Sequence, residues 1–97
     1  MSFNALELAI ELYEECAKLK LKNPIKDQLL RSSLSIALNI TEGSGRSSRK
    51  EQKRFYSIAM GSTRETQTLV RIVRDQKLVK RYDHLGALVY GLIRKSD

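Results

Sequence analysis

Residues 31–62 read RSSLSIALNITEGSGRSSRKEQKRFYSIAMGS and contain the clearest turn signal of the chain. Apolar residues recur every three or four positions on both sides of Gly43-Ser44-Gly45-Arg46-Ser47, whose glycines and serines are typical of a tight turn. A period of three to four is that of an amphipathic helix, and the stretch lacks the period-two alternation of a strand. The sequence here predicts two helices joined by a short turn.

The helix before the turn is predicted over residues 24–43. Pro24 suits its first turn, because a helix leaves that backbone N–H unpaired in any case. Gly43 is expected to end it in the left-handed conformation that glycine adopts without steric cost. Its core-facing stripe is predicted as Ile25, Leu29, Ser33, Ile36 and Ile40.

The helix after the turn is predicted over residues 49–76. Ser48 and Glu51 have the spacing of a capping box, in which each side chain accepts a hydrogen bond from a backbone N–H near the helix start. The predicted core stripe is Phe55, Ile58, Ser62, Glu65, Leu69 and Ile72, with Ala59 and Val73 beside it.

Two further helices flank this pair, over residues 4–21 and 83–95. The first carries Leu6, Ile10, Tyr13 and Ala17 at helical spacing, widened by Ala9 and Cys16. The last follows a basic loop at 77–82, with Asp83 as its predicted N-cap. Four amphipathic helices with short connections predict one all-α domain over residues 1–97, an antiparallel up-down-up-down four-helix bundle.

The charge of the chain is unevenly distributed. The net charge is +7, and residues 46–81 contain eleven lysines and arginines against three acidic residues. Such a segment is typical of a face that binds nucleic acid, although a solvated helix face has the same composition. The candidate binding residues are Arg46, Arg49, Lys50, Lys53, Arg54, Arg64, Arg71 and Arg74.

The composition offers little material for catalysis. His84 and Cys16 are the single histidine and the single cysteine, so neither a zinc site nor a di-metal bundle site is encoded. Cys16 lies on an apolar stripe and is predicted to be a buried structural thiol rather than half of a Cys–His dyad. We expect no catalytic residue, no metal and no cofactor.

The sequence also bears on the compartment. It has no run of about 18 apolar residues, which excludes a membrane-spanning helix from the prediction. Its first residues are acidic rather than basic, unlike a signal peptide. A cytoplasmic location is therefore expected.

Two polar residues fall on predicted core faces. Asn39 lies beside the stripe of the second helix, and Glu65 lies within that of the third. A buried carboxylate needs a partner, and Arg31 would lie within one turn of Glu65 in an antiparallel pair. We predict an Arg31–Glu65 ion pair; alternatively, Glu65 reaches solvent or faces a neighbouring subunit.

Several of these residues form a pattern known from one family. The matching segments are RSSLSI at 31–36, NITEGSGRSS at 39–48, then Phe55, SIA at 57–59 and GS at 61–62. The pattern resembles the four-helix-bundle proteins of the ribosomal RNA intervening-sequence family, and the resemblance covers roughly residues 6–93. It implies a ring-shaped homopentamer, related to the bundle proteins that accompany the reverse transcriptases of diversity-generating retroelements. In that reading Asn39, Glu42, Gly43, Gly45 and Arg46 mark the end of the second helix and the turn.

Two functions remain open at this point. The first is a non-catalytic, homo-oligomeric protein that binds nucleic acid, most simply RNA, through the basic face of the third helix. The second is an oligomeric assembly hub whose basic face docks an acidic protein partner such as a polymerase.

Overall fold

The fold is built from four helices that pack against one another in chain order. The structure, a computed structural model, describes residues 3–96 and the side chains of residues 4–96. The helices are α1 (Phe3–Lys18), α2 (Ile25–Ser44), α3 (Arg49–Val73) and α4 (Gln76–Lys95). Each helix packs against its neighbour in sequence, and α1 also packs against α4. The predicted all-α, antiparallel up-down-up-down four-helix bundle is confirmed.

The seam between α2 and α3 is held by small polar side chains. Thr66 Oγ1 donates a hydrogen bond of 2.7 Å to Ser32 Oγ, and the hydroxyls of Ser35 and Ser62 lie 2.7 Å apart one turn further along. Ser32 and Thr66 are both buried. Because each hydroxyl has one partner across the seam, these pairs fix the register of the two antiparallel helices.

The predicted Arg31–Glu65 ion pair is wrong. Arg31 Nε instead lies 3.7 Å from Asp27 Oδ2 on the same helix, with both side chains largely exposed, and Glu65 is exposed as well. The reason is rotation: the residues that meet across the seam are Ser32 and Thr66, one position further along on each helix. Glu65 reaches solvent.

The faces that α1 and α3 bury also differ from the prediction by about 100°, which is one residue of helical rotation. On α1 the buried residues are Ala5, Ala9, Leu12 and Cys16, and on α3 they are Tyr56, Ala59, Thr63, Thr66 and Val70. A buried threonine can satisfy its hydroxyl within its own helix: Thr63 Oγ1 donates to the Ala59 carbonyl at 2.8 Å. On α3, hydropathy patterning counts threonine as polar and therefore favours the neighbouring, more apolar stripe. On α1, the buried stripe contains Ala5 and Ala9, which are less hydrophobic than the neighbouring Leu6 and Ile10.

The stripe of α2 was predicted correctly at four of its five positions. Leu29, Ser33, Ile36 and Ile40 are buried, and Ile25 is half-buried. The predicted bounds of this helix agree with the structure to within one residue.

The junction between α3 and α4 lies earlier than predicted. Helix α3 ends at Val73, and Arg74 adopts a left-handed conformation with φ 66°. The N–H groups of Arg74 and Asp75 donate to the carbonyls of Arg71 and Val70, which is the Schellman arrangement of a helix end. Asp75, not Asp83, is the N-cap of α4, and its Oδ1 accepts a hydrogen bond of 3.0 Å from the Leu78 N–H. The predicted loop at 77–82 is thus the first part of α4.

Side chains cap the end of α1 and the start of α3. Helix α1 ends at Lys18 instead of 21, and the Lys26 ammonium caps this end by donating to the carbonyls of Ala17, at 2.9 Å, and of Leu19. Helix α3 begins at 49 as predicted, and Ser48 Oγ accepts from the Glu51 N–H at 3.1 Å. The Glu51 carboxylate itself lies 3.5 Å from Arg54 Nε, so the structure shows one half of the predicted capping box.

Gly43 has a different role from the predicted one. It lies inside the last turn of α2, and none of the five glycines, all within the described residues, has a positive φ. A Cβ at Gly43 would lie 2.6 Å from Cε1 of Tyr56, which is buried on α3. Glycine is therefore required here for the close approach of two helices and not for a turn.

This contact leads to a stability prediction. Gly43→Ala should lower the free energy of unfolding by about 1–3 kcal/mol, because the methyl group forces the Tyr56 ring out of its place. Gly61→Ala is the matched control, since a Cβ there meets nothing within 4 Å. It should raise stability by about 0.5–1 kcal/mol through helix propensity alone. Urea unfolding at one fixed protein concentration measures both, and equal effects of the two substitutions would contradict the steric explanation.

Candidate nucleic-acid interface

Four of the predicted basic residues come together along one flank of α3. Lys50, Lys53, Arg64 and Arg71 are all exposed, and a step of about 100° per residue places them within an arc of about 60°. They extend over about 30 Å of helix at about 1.5 Å per residue. This flank faces α4, because Arg64 lines a groove with Asp83 and Tyr90. We call these four residues the cationic strip.

The other four basic candidates lie outside this arc, although Arg54 borders it, at about 40° from Lys50. Arg46 and Arg54 place their guanidinium carbons 4.8 and 4.7 Å from the centre of the Phe55 ring, beside the turn between α2 and α3. Both distances are within the range of a cation–π contact. Arg49 is in the first turn of α3, and Arg74 is the C-cap at its far end.

The residues that the family resemblance singles out have structural partners. Asn39 Nδ2 donates to the backbone carbonyl of Ser35 at 2.9 Å. Arg46 Nη2 lies 2.5 Å from Glu42 Oε2, one turn away on the same helix end. Together with Gly43 and the C-cap Gly45, these contacts shape the end of α2 and the turn.

A groove between α3 and α4 adjoins the cationic strip. Its volume is about 430 Å³, and it is lined by Met60, Arg64, Gln67, Asp83, Gly86, Ala87 and Tyr90. Tyr90 is 55% exposed, whereas Tyr56 and Tyr82 are buried. The sequence analysis did not predict this groove. With α4 predicted to start at 83, the residues of α4 that face α3 could not be identified. The spacing of Asp83, Ala87 and Tyr90 by four and three residues was the available sign that they share one face of α4.

The opposite side of the bundle is apolar. Ile10, Leu34, Leu38 and Ile58 are each between 41% and 55% exposed. Leu34 and Leu38 border a shallow depression with Leu6, Ile10 and Tyr13 of α1. Ile58 of α3 lies at the same height along the bundle as Leu38 of α2. The two helices are in register at the bonded pair Ser35–Ser62. Ile58 is one turn from Ser62, and Leu38 is about one turn from Ser35 in the same direction. These residues, Leu6, Ile10, Tyr13, Leu34, Leu38 and Ile58, form what we call the apolar surface.

Cys16 belongs to a buried chain of polar groups. Its Sγ is 3.2 Å from the Tyr82 hydroxyl, which lies 2.7 Å from Ser33 Oγ, and all three residues are at most 1% exposed. Burial raises the pKa of the Cys16 thiol and, more strongly, that of the Tyr82 hydroxyl. The prediction of a buried cysteine is confirmed. A thiol held in its protonated form is a poor nucleophile.

The remaining titratable groups are dispersed. His84 is exposed on α4, while Arg81 bridges from α4 to Glu11 at 3.1 Å and to Glu15 on α1. Within residues 3–96 no three histidine, cysteine or acidic residues are grouped so that they could hold a metal ion. In the same part of the chain, no helix has the length and apolar character needed to cross a membrane.

Comparison with known proteins agrees with the bundle and its motif. The family described as 23S rRNA-intervening sequence protein matches residues 2–93. The chain belongs to this family. The resemblance inferred from residues 31–62 is thereby confirmed for the intervening-sequence proteins.

A solved structure shows the same fold. It is the crystal structure of a protein with unknown function from the S23 ribosomal protein family of Bacteroides thetaiotaomicron, with a TM-score of 0.63 and 21% sequence identity. The match covers 95% of this chain and 90% of that one. At this identity the likeness concerns the fold alone. Comparison of the sequence with curated proteins finds no match.

The buried polar chain of this intervening-sequence protein predicts sensitivity to alkali. Above pH 9, unfolded Cys16 and Tyr82 ionise from ordinary pKa values of 9.0 and 10.0, whereas the folded groups keep their protons. Below pH 9, the titration of these two groups should therefore leave the free energy of unfolding unchanged. Above it, stability should fall by up to about 1.4 kcal/mol per pH unit for each group.

Tyr82→Phe tests the assignment. The variant loses the hydroxyl and its two hydrogen bonds, so it should be less stable by about 1–2 kcal/mol at pH 7. It should also show a shallower decline in stability between about pH 10 and 11, because one of the two titrating groups is gone. Gly61→Ala, which alters no titratable group, should keep the wild-type pH dependence. Parallel profiles for wild type and Tyr82→Phe would contradict the proposal that Tyr82 remains protonated in the fold.

Proposed function

We propose that this protein is a non-catalytic, homo-oligomeric bundle that binds RNA through the cationic strip of α3. The observation that carries the proposal is the alignment of Lys50, Lys53, Arg64 and Arg71 on a single exposed flank, next to a groove and away from the apolar surface. The description of the family refers to intervening sequences of 23S rRNA, which favours RNA as the nucleic acid.

The strip suits contacts to a phosphate backbone. Lysine and arginine side chains along about 30 Å of helix can neutralise several phosphates in succession and release their counterions. Such contacts position a nucleic acid without reading its bases. The binding through the strip alone is therefore independent of sequence and weakens steeply as the salt concentration rises.

The apolar surface supports the proposed self-association. Clustered exposed side chains such as Leu34, Leu38 and Ile58 are unusual on a monomeric protein and typical of an interface. Burying this surface against further copies leaves the cationic strip outward, on the other flank of α3. A closed ring, with five copies as the family resemblance implies, repeats the strip around its circumference. Many weak phosphate contacts then act together.

RNA binding is tested by its salt dependence. Purified protein is titrated with a labelled structured RNA between about 50 and 300 mM salt, where each neutralised phosphate adds roughly −0.7 to −0.9 to the slope of log affinity against log salt. We expect a slope of several units for the wild type. Lys50→Glu combined with Arg64→Glu removes two such contacts, so it should make the slope shallower by about 1.4–1.8 units and weaken binding at every salt concentration.

A control with the same change in net charge separates the strip from charge in general. Lys20→Glu combined with Lys22→Glu alters two exposed residues of the segment between α1 and α2. This double variant should keep a slope near that of the wild type. Equal losses in both double variants would contradict a specific role of the strip. Absence of RNA binding at 50 mM salt would overturn the proposal and leave the strip as a docking face for an acidic protein.

The proposed self-association is tested by mass in solution. Light scattering coupled to size exclusion should give a mass several times 11.1 kDa for the wild type. Leu38→Glu should shift the protein towards the monomer, because it places a charge in the centre of the apolar surface. Ile72→Glu, an exposed position near the end of α3, should keep the wild-type mass. A wild-type monomer at about 100 μM protein would contradict the assignment.

A further inference from the structure

The groove between α3 and α4 adds to a cation of the strip, Arg64, two groups that phosphate contacts do not need, the ring of Tyr90 and the carboxylate of Asp83. We propose that it binds one unpaired base of RNA, which stacks on Tyr90 while its phosphate contacts Arg64 and its edge faces Asp83. The inference rests on the RNA binding proposed above and adds to it a selectivity for single-stranded segments.

The aromatic ring carries the first part of the argument. Tyr90 is 55% exposed, which is exceptional for the aromatic side chains described in residues 4–96, because the others are buried or half-buried. An exposed ring beside a row of cations is the arrangement by which proteins hold single strands, with stacking for the base and charge for the backbone. Arg64 lines the same groove and belongs to the cationic strip, so one nucleotide can reach both.

A glycine accommodates the Gln67 side chain in the groove. Gly86 is buried, and a Cβ there would lie 2.9 Å from Gln67 Nε2. Gln67 Nε2 donates to the Tyr82 carbonyl at 3.3 Å and to Asp83 Oδ1 at 3.4 Å. The absence of a side chain at 86 therefore leaves room for the Gln67 amide to make these two contacts. The groove, of about 430 Å³, falls within the range of small-molecule sites, roughly 300–1,000 Å³.

Asp83 gives the groove a preference among bases. Its carboxylate is exposed and lines the groove near Tyr90. A carboxylate accepts hydrogen bonds from amino and imino groups and repels acceptors. Guanine presents two adjacent donors on its Watson–Crick edge, which match the two carboxylate oxygens. We therefore expect guanine to bind better than uracil, which has one donor between two acceptors.

The first experiment compares single-stranded and duplex RNA of the same length and salt concentration. Tyr90→Ala should weaken binding to a guanine-containing single strand by about five- to a hundredfold, the range for loss of one stacked base. It should change duplex binding less than about twofold and leave the salt slope unaltered. Tyr90→Phe keeps the ring and should retain the wild-type affinity. His84→Ala, an exposed change elsewhere on α4, should do the same.

The second experiment tests binding of a single nucleotide, instead of an RNA strand, in the groove. Guanosine 5′-monophosphate is titrated into the isotope-labelled full chain, and the backbone amides of Gly86 and Ala87 and the side-chain amide of Gln67 are followed by NMR. We expect these signals to shift first, with uridine 5′-monophosphate binding at least about threefold more weakly. Asp83→Asn should reduce the difference between the two nucleotides, and a melting curve for each variant verifies that the bundle is folded.

The outcomes separate this inference from the proposed function. If Lys50→Glu with Arg64→Glu abolishes RNA binding while Tyr90→Ala binds both RNAs as the wild type does, the groove proposal is overturned and the strip remains. If the nucleotide shifts the groove signals but no RNA binds at low salt, the groove takes nucleotides and the RNA-binding function fails. If no RNA binds and the Gly86 signal does not shift, both the RNA-binding proposal and the groove proposal are overturned.

Discussion

The close approach of α2 and α3 is the constraint on which the rest of the bundle depends. Gly43 lets the Tyr56 ring lie directly on the backbone of α2, and hydroxyl pairs such as Ser32–Thr66 fix the register along the seam. Because the side chains in this seam are small and polar instead of large and apolar, the same residues set both the distance between α2 and α3 and their register. Once α3 is held in this rotation, the cationic strip lies on the side of α4, and Ile58 points outward on the side of α2.

The turn pattern on which the family resemblance rests and the surface chemistry therefore occupy different parts of the molecule. Asn39, Glu42, Gly43 and Arg46 make contacts within α2, its turn and the adjoining helix. They build the scaffold, and the family membership that they reveal concerns the fold. The groups that distinguish this surface, Tyr90 above all, lie outside that pattern.

The sequence predicted the helices far better than their rotation. Fold class, the start of α3 and the core of α2 followed from apolar spacing and from Ser48, because these signals are local. The core faces of α1 and α3 did not. On α3, Thr63 satisfies its hydroxyl within the helix and so becomes a core residue that hydropathy scores as polar. On α1, the buried Ala5 and Ala9 are less hydrophobic than their neighbours Leu6 and Ile10. The start of α4 was missed because Arg74 adopts a left-handed conformation without the glycine that usually marks it. Both errors hid the groove, which depends on how two helices face each other.

The burial of Cys16 has a practical consequence. It is the single thiol of the chain, lies in the core at 0% exposure and is bonded to Tyr82. A thiol-specific reagent can reach it only after α1 or α4 has moved away. The rate of labelling therefore reports the opening of the bundle without any engineered probe: it gives the opening rate where the reagent outpaces reclosing and the open population where it does not. The same shielding keeps oxidants from the sulfur, so the protein should not cross-link through it while it remains folded.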